Sequence, residues 1–275
     1  LRAHVTLTER AAARTDFELV TADGTAAVCY DAADAAVVGT AAGLFAADVA
    51  RVTGREIPVV DGSELPAKTR CAVIVGTVGQ SRWIDELAAA KKIDVTPIEG
   101  GWERYTLRLV DRPGHGLRKA LVIAGSDRRG TAYGLLSVSR AIGVNPWYWW
   151  ADAPVERRDR VTLRVADYTS PTPSVKYRGI FINDEDWGLY RWAKENFEKE
   201  LGNIGPKTYE KVCELLLRLQ ANYLAPAMHD ATTAFYKIPE NRVIADRYGI
   251  AIGSSHCEPL GLNTASEWDS KTMGE

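Results

Sequence analysis

Three times between residues 176 and 259, a short apolar run ends in a cluster of carboxylates, amides or imidazoles. The first run is Lys176-Tyr177-Arg178-Gly179-Ile180-Phe181-Ile182, followed by Asn183-Asp184-Glu185-Asp186. The second, Asn222-Tyr223-Leu224-Ala225, ends near His229. The third, Ile250-Ala251-Ile252-Gly253, runs into Ser254-Ser255-His256-Cys257-Glu258-Pro259. Such runs, rich in branched and aromatic residues, predict strands. Helices are predicted between them. Lys207 to Gln220 places Val212, Leu215, Leu216 and Leu219 at i, i+3, i+4 and i+7, and Asn241 to Tyr248 is closed by Gly249. Strand–helix units with polar residues gathered after each strand are how a (β/α)8 barrel begins, and such barrels carry their sites on the C-terminal face. A whole barrel takes about 250 residues. The chain ends at residue 275, so only the opening units of a barrel, truncated before closure, are expected.

Ahead of these units the rhythm differs. Ala27-Val28-Cys29-Tyr30, Cys71-Ala72-Val73-Ile74-Val75-Gly76, Tyr105–Val110 and Ala120–Ala124 predict strands. Helices are expected from Asp34 (as N-cap) to Val52 with Gly54 at C′, from a Ser81 cap to about Ala90, and from Arg128 to Ile142 before Gly143. Pro154, Pro171 and Pro173 punctuate a connector. The expected fold class is α/β. A layered N-terminal α/β domain with a mixed sheet covers residues 1–165, and the first β/α units of a TIM (β/α)8 barrel cover 166–275.

Composition narrows the partners. With 46% hydrophobic and 25% charged residues the chain is globular rather than disordered or fibrous. Lys and Arg number 34 against 36 Asp and Glu, so no global charge draws it to nucleic acid or an anionic membrane. No apolar run approaches the roughly 20 residues of a membrane span. Leu1-Arg2-Ala3-His4 has no signal-peptide pattern. Cys29, Cys71, Cys213 and Cys257 are far apart with no C-x-x-C, which indicates neither a disulfide framework nor a zinc ribbon.

Chemistry is expected at several places. Asn183-Asp184-Glu185-Asp186 crowds three carboxylates at one strand end, where mutual repulsion separates acid from base; a solvated acidic loop is the plain alternative. His256 and Glu258 stand two apart, suited to hydrogen-bonding sugar hydroxyls or, for His256, to a structural bond; no third zinc ligand is visible. His229 is a weaker candidate. Gly125-Ser126-Asp127-Arg128-Arg129-Gly130-Thr131 opens a helix after a strand, so it either receives a carboxylate or docks the helix on its neighbour. It is neither a Walker loop nor a Rossmann fingerprint, and Gly76-Thr77-Val78-Gly79-Gln80-Ser81 has the same form. Lys176 and Arg178 precede the first barrel strand and are expected on the stable face as ion-pairing groups. Pro146-Trp147-Tyr148-Trp149-Trp150-Ala151-Asp152 is read either as a packing wedge or as a surface on which pyranose rings stack.

Together these motifs resemble a known family. Val75-Gly76-Thr77 through Ser81, Gly100-Gly101-Trp102-Glu103, Ala124 through Gly134, the aromatic run, Val175 through Glu185, Pro226-Ala227-Met228 and Ser255-His256-Cys257-Glu258-Pro259 occur in the order found in glycoside hydrolase family 115, the xylan α-1,2-glucuronidases. The resemblance runs over nearly the whole chain from about residue 16. It implies an exo-acting, inverting hydrolase that removes α-1,2-linked glucuronic or 4-O-methylglucuronic acid from glucuronoxylan. It also implies a secreted or periplasmic location, no cofactor and no metal. Family members are longer and often dimeric, and residues 1–165 would correspond to their hexosaminidase domain-2-like unit. Carried over by motif, Asn183, Asp184, Glu185, His256 and Glu258 would line the sugar pocket, with Asp184 and Glu185 as the catalytic candidates. His229 is a further candidate for sugar contact from its place after the second strand, Trp149 from its aromatic run, and Arg128 or Arg129 would supply the cation a uronate needs if the two domains meet there. The chain departs from the family pattern at His229, where Trp is more usual, and at Asp186-Trp187-Gly188. Both bear on substrate, so a glucuronidase acting on arabinogalactan remains open. Another exo-glycosidase of β-hexosaminidase-like architecture, or a non-catalytic carbohydrate-binding piece, are the alternatives, and the segment by itself is expected to be inactive.

Overall fold

The computed structural model describes residues 4–9, 13–62, 64–183, 188–254 and 267–274. The chain forms two compact units, Leu1–Ser174 and Val175–Glu275.

In the first unit a six-stranded mixed sheet has the order β4-β3-β5-β7-β6-β9. Its parallel strands are β3 (Ala27–Cys29), β4 (Val59–Val60), β5 (Cys71–Thr77) and β7 (Lys119–Gly125). The strands β6 (Tyr105–Asp111) and β9 (Tyr168–Thr169) run antiparallel beside them. All of β5 is buried, as a continuous apolar run must be when helices cover both faces of a parallel sheet. Ala72 and Ile74 cluster with Trp83, Ile84 and Leu87 of helix α2 (Arg82–Ala89). On the other face, α3 (Arg128–Ala141) comes so close that a Cβ on Gly134 would stand 2.6 Å from Ile123. Helix α1 (Ala36–Thr53) packs on α3. Its length and mean hydropathy of 1.3 would suit a membrane span, yet Val38, Ala41, Phe45, Val49 and Val52 are wholly buried against the rest of the unit. Its C-terminus behaves as the sequence predicts: Gly54 takes φ 74° and donates to the Ala50 carbonyl.

Two helix starts differ from expectation. Asp34 does not occupy the N-cap of α1, which falls on Ala35. Its carboxylate accepts from the Ala35 and Thr77 N–H groups, each at 2.7 Å, and so ties the start of α1 to the end of β5. Ser81 does hold the N-cap position of α2, but its hydroxyl makes no capping bond and is buried without a hydrogen-bond partner. The cap comes from Asp31, which accepts from the Arg82 N–H at 3.0 Å and from Arg82 Nε at 3.1 Å. Gly76 makes room for the Ser81 side chain, since a Cβ there would meet its Oγ at 2.3 Å.

A second sheet, absent from the sequence reading, joins β1 (Val5–Thr8), β8 (Val161–Val165) and β2 (Asp16–Val20) in antiparallel order. Asp16 and Arg164 are cross-strand partners, and the guanidinium grips the buried carboxylate at 2.9 and 3.2 Å. Because β9 pairs with β6, the first unit extends to Ser174, past the expected boundary at 165.

The second unit holds three parallel strands, β10 (Gly179–Phe181), β11 (Tyr223–Ala225) and β12 (Ala251–Ile252), in sequential order. Helix α5 (Pro206–Arg218) links the first pair and α6 (Pro239–Arg247) the second. Each begins with proline, whose fixed φ and missing N–H suit a first helical position. Ahead of α5 a short helix, α4 (Leu189–Trp192), passes into a π-turn over Ala193–Phe197.

Asp34→Ala should leave the Thr77 N–H buried and unpaired, costing about 1–3 kcal/mol. Urea unfolding checks this: the midpoint should fall while the m-value holds.

Candidate active site

Parallel strands joined by helices sort their connections to two ends. The α5-to-β11 connection lies at the N-terminal end of the sheet and is latched by Arg178. Its guanidinium donates to the Gln220 carbonyl at 2.8 and 3.0 Å and to the Val175 carbonyl at 2.8 Å. Asn222 completes the latch, accepting the Arg178 N–H at 2.9 Å and donating to the Lys176 carbonyl at 2.7 Å. Arg178 thus binds backbone carbonyls at the N-terminal end of the sheet.

The opposite end carries the strand C-termini. Phe181 is level with Ala225, and Leu224 with Ile252, with the ladder extended by Ile182 N–H to Ala225 and Gly253 N–H to Leu224. Beneath this end Ile182, Ala227 and Met228 are buried, whereas Asn183, His229 and Ser254 are exposed. The sequence candidates Asn183 and His229 are therefore brought to one end of one sheet. Asp184, Glu185, His256 and Glu258 lie outside the described residues.

Two of the connections at this end, that leading into α5 and that between β11 and α6, are fixed by side chains that the sequence reading missed. Buried Glu198 holds the start of α5. It accepts from Gly205 N–H at 2.9 Å, Lys207 N–H at 3.1 Å, Thr208 N–H at 2.9 Å and the Thr208 hydroxyl at 2.5 Å. One carboxylate thereby satisfies most of the N–H groups that a helix leaves unpaired at its start. In the β11-to-α6 connection the His229 carbonyl accepts from both the N–H and the hydroxyl of Thr232, at 2.9 and 3.1 Å. Phe235 anchors the same connection edge-on to Tyr209, with centroids 4.8 Å apart, and Asn241 bonds its carbonyl at 3.0 Å. No residue pattern in Glu198-Lys199-Glu200-Leu201-Gly202-Asn203 marks these roles.

The remaining candidates belong to the first unit. The start of α3 is filled by the chain itself: Asp127 Oδ1 accepts from Arg129 and Gly130 N–H at 3.0 and 2.9 Å, and Oδ2 from Glu103 N–H at 2.7 Å. Arg129 Nε sits 2.6 Å from the buried Glu103 carboxylate. The glycines serve close packing, since a Cβ on Gly125 would meet Thr131 at 2.1 Å and one on Gly130 the Arg104 carbonyl at 2.2 Å. Of the two readings for this motif, the geometry thus favours docking over capture of an external carboxylate. Arg128 is the first residue of α3, outside that carboxylate pair. Gly76–Ser81 is likewise filled, by Asp31, Asp34 and Asp85, the last accepting the Gly79 N–H at 2.9 Å. Trp149 is half-buried and meets Trp150 edge-on at 4.9 Å, while Arg51 of α1 lies 4.2 Å over the ring of Tyr148.

Burial pushes the Cys29 thiol up to about 12, and it does the same for Cys213, with Glu210 adding and Arg247 opposing. Neither is a thiolate nucleophile at neutral pH. Among the described residues no three His, Cys, Asp or Glu side chains gather as a metal ion would require.

The profile of glycosyl hydrolase family 115 matches residues 170–275. A solved 4-O-methyl-α-glucuronidase of that family, with specificity for decorated arabinogalactans, is 39% identical over 88% of this chain, with a TM-score of 0.75. The chain belongs to glycosyl hydrolase family 115. It spans 30% of the length of that relative. Two further solved structures share the fold alone. A Flavobacterium johnsoniae chitobiase is 12% identical, with a TM-score of 0.51 over 91% of this chain and 33% of its own. A Streptomyces plicatus N-acetyl-β-hexosaminidase is 11% identical, with a TM-score of 0.51 over 92% of this chain and 44% of its own. Among curated proteins none matches significantly. For this family 115 chain the coarse fold class is as expected: mixed α/β with several sheets.

Glu198→Ala should lower stability by about 1–3 kcal/mol, because buried N–H groups at the start of α5 lose their acceptor. Glu198→Gln should recover part of this, since its Oε1 can take the place of the oxygen that accepts three of the four bonds, while its NH2 group meets only the Lys207 N–H. Chemical denaturation of the three proteins side by side checks both statements.

Proposed function

We propose that the full-length protein is an exo-acting α-glucuronidase that releases (4-O-methyl)glucuronic acid from polysaccharide side chains. The observation that carries this is the 39% identity over 88% of the chain to a 4-O-methyl-α-glucuronidase. The three parallel strands of the second unit are, on this reading, the first units of a (β/α)8 barrel whose sugar pocket opens at the C-terminal ends. The exposed apolar residues Ile180 and Phe181 of β10 support it, because barrel closure would cover both faces of that strand. Exposed Asn183 and His229 stand at the end where such a pocket opens.

Inversion requires one carboxylic acid to protonate the leaving oxygen and one carboxylate to activate water, about 6.5–9.5 Å apart. Asp184 and Glu185 are the residues assigned to catalysis, with at least one partner on later strands. His256 and Glu258 are assigned to the sugar hydroxyls, and Trp149 to ring stacking. Arg128 and Arg129 are the candidate cations for the uronate, and like Trp149 they belong to the first unit and enter the site only if that unit borders the pocket. No metal or cofactor enters the proposal.

Two polymers compete. The motif reading favours glucuronoxylan, and the structural likeness favours a decorated arabinogalactan. We place arabinogalactan first, because it rests on a solved relative and because His229 departs from the family's more usual Trp. A polymeric substrate places the enzyme outside the cytoplasm.

Full-length protein incubated separately with both polymers should release free (4-O-methyl)glucuronic acid from at least one, with more from arabinogalactan. Release from glucuronoxylan alone would reverse the order, and release from neither would end the glucuronidase reading. In the active protein, Asp184→Asn and Glu185→Gln should each cut kcat by roughly 10²–10⁴-fold; two variants with wild-type kinetics would move catalysis elsewhere.

A further inference from the structure

At the C-terminal end of the second unit's sheet, two consecutive connections are tied to each other by one side chain. Asn203, in the connection between β10 and α5, donates from Nδ2 to the Thr233 hydroxyl at 3.0 Å. Its Oδ1 accepts from the N–H groups of Ile204 at 2.8 Å and Thr233 at 3.3 Å. Thr233 follows Thr232, whose N–H and hydroxyl both close on the His229 carbonyl. The route from Asn203 to His229 therefore passes through one hydrogen-bonded turn. Asn203 is itself placed by rigid neighbours: Gly202 at φ 66° bonds the Glu198 carbonyl, and Ile204 is buried.

We propose that Asn203 is a positioning residue that sets the His229 imidazole for the substrate uronosyl residue. The inference rests on the glucuronidase reading above. The physical reasoning is one of preorganisation. An exposed imidazole on a free loop loses conformational entropy when it engages a sugar, and one on a turn pinned at both ends has already lost it. Phe235 pins the C-terminal side of that turn in the core, and Thr232 closes its N-terminal side. Asn203 supplies the lateral tie, joining the turn to the connection that also carries Asn183. The residue type fits the task, since an amide can donate to the hydroxyl while accepting two N–H groups.

The test uses the full-length enzyme on the polymer it cleaves. Asn203→Ala removes the tie whole and Thr233→Val removes its hydroxyl bond, so the first should raise KM by roughly tenfold and the second by less, each with kcat within about threefold of wild type. Asn203→Asp should restore near wild-type KM, because its carboxylate accepts both N–H groups and the Thr233 hydroxyl. In a His229→Ala background, Asn203→Ala should change KM no further, as residues acting through one another are not additive. Equal losses in both backgrounds, or a loss in kcat alone, would overturn the assignment.

Hydrogen–deuterium exchange of the segment 226–236 is independent of the substrate. Faster exchange confined to this segment in Asn203→Ala and Thr233→Val supports the tie, and unchanged exchange overturns it. If the wild type released no uronic acid, the functional reading would fall, while this exchange result would still decide whether Asn203 fixes the turn.

Discussion

Four helices among the described residues begin against carboxylates of the same chain. An α-helix leaves its first N–H groups unpaired, and those groups attract an anion whether it arrives from solvent or from a side chain. Asp31 takes α2, Asp127 takes α3 and Glu198 takes α5, while Asp34 joins the start of α1 to β5. Three of the four are contributed from outside the N-cap position, so each bond also fixes one connection against another. The device recurs in both units, and it closes the starts of α2, α3 and α5 to an external phosphate or carboxylate.

That closure divides labour within the second unit. The N-terminal end of its sheet is held by Arg178 and Asn222, which bind backbone carbonyls and leave the chain little freedom there. The C-terminal end is rigid in its backbone, through Glu198, Thr232 and Asn241, yet exposes Asn183 and His229. Rigid mounts beneath exposed polar side chains are what a sugar site needs. Hydroxyl recognition demands fixed donors and acceptors, and every rotamer already frozen is entropy not lost on binding.

Much of this organisation is legible in the sequence, for physical reasons that also explain what is not. The buried parallel strands read clearly because Cys71–Gly76 is apolar throughout, and α5 because its leucines repeat at helical spacing. The sheet of β1, β2 and β8 does not, since Asp16-Phe17-Glu18-Leu19-Val20 hides an ion pair with Arg164, distant in sequence, inside a pattern that also suits a loop. Ser81 misleads for a related reason. Its identity suits a cap, but the capping oxygen comes from Asp31, and only the fold brings Asp31 to it. Gly125 through Thr131 looks like an anion cradle because glycines and arginines favour anions. Here the glycines admit backbone and side-chain atoms of neighbouring segments, and one arginine faces Glu103. At the candidate site Asn183 and His229 are readable from their place after strands. Glu198 and Asn203 sit in a polar connection whose contacts span residues that local patterns do not link.

The arrangement bears on how a uronate would be recognised. A carboxylate-bearing sugar needs a cation or several N–H donors, and in the second unit the start of α5 is already taken by Glu198. On the proposed reading, recognition within that unit falls to side chains presented at the strand ends, where placement depends on the connections that carry them. Such a site is tuned by changing what stands on a fixed turn rather than by rebuilding the turn. His229 occupies a position of this kind. On the proposed reading, the imidazole offers a substrate a hydrogen-bonding edge where an indole on the same mount would offer an apolar stacking face.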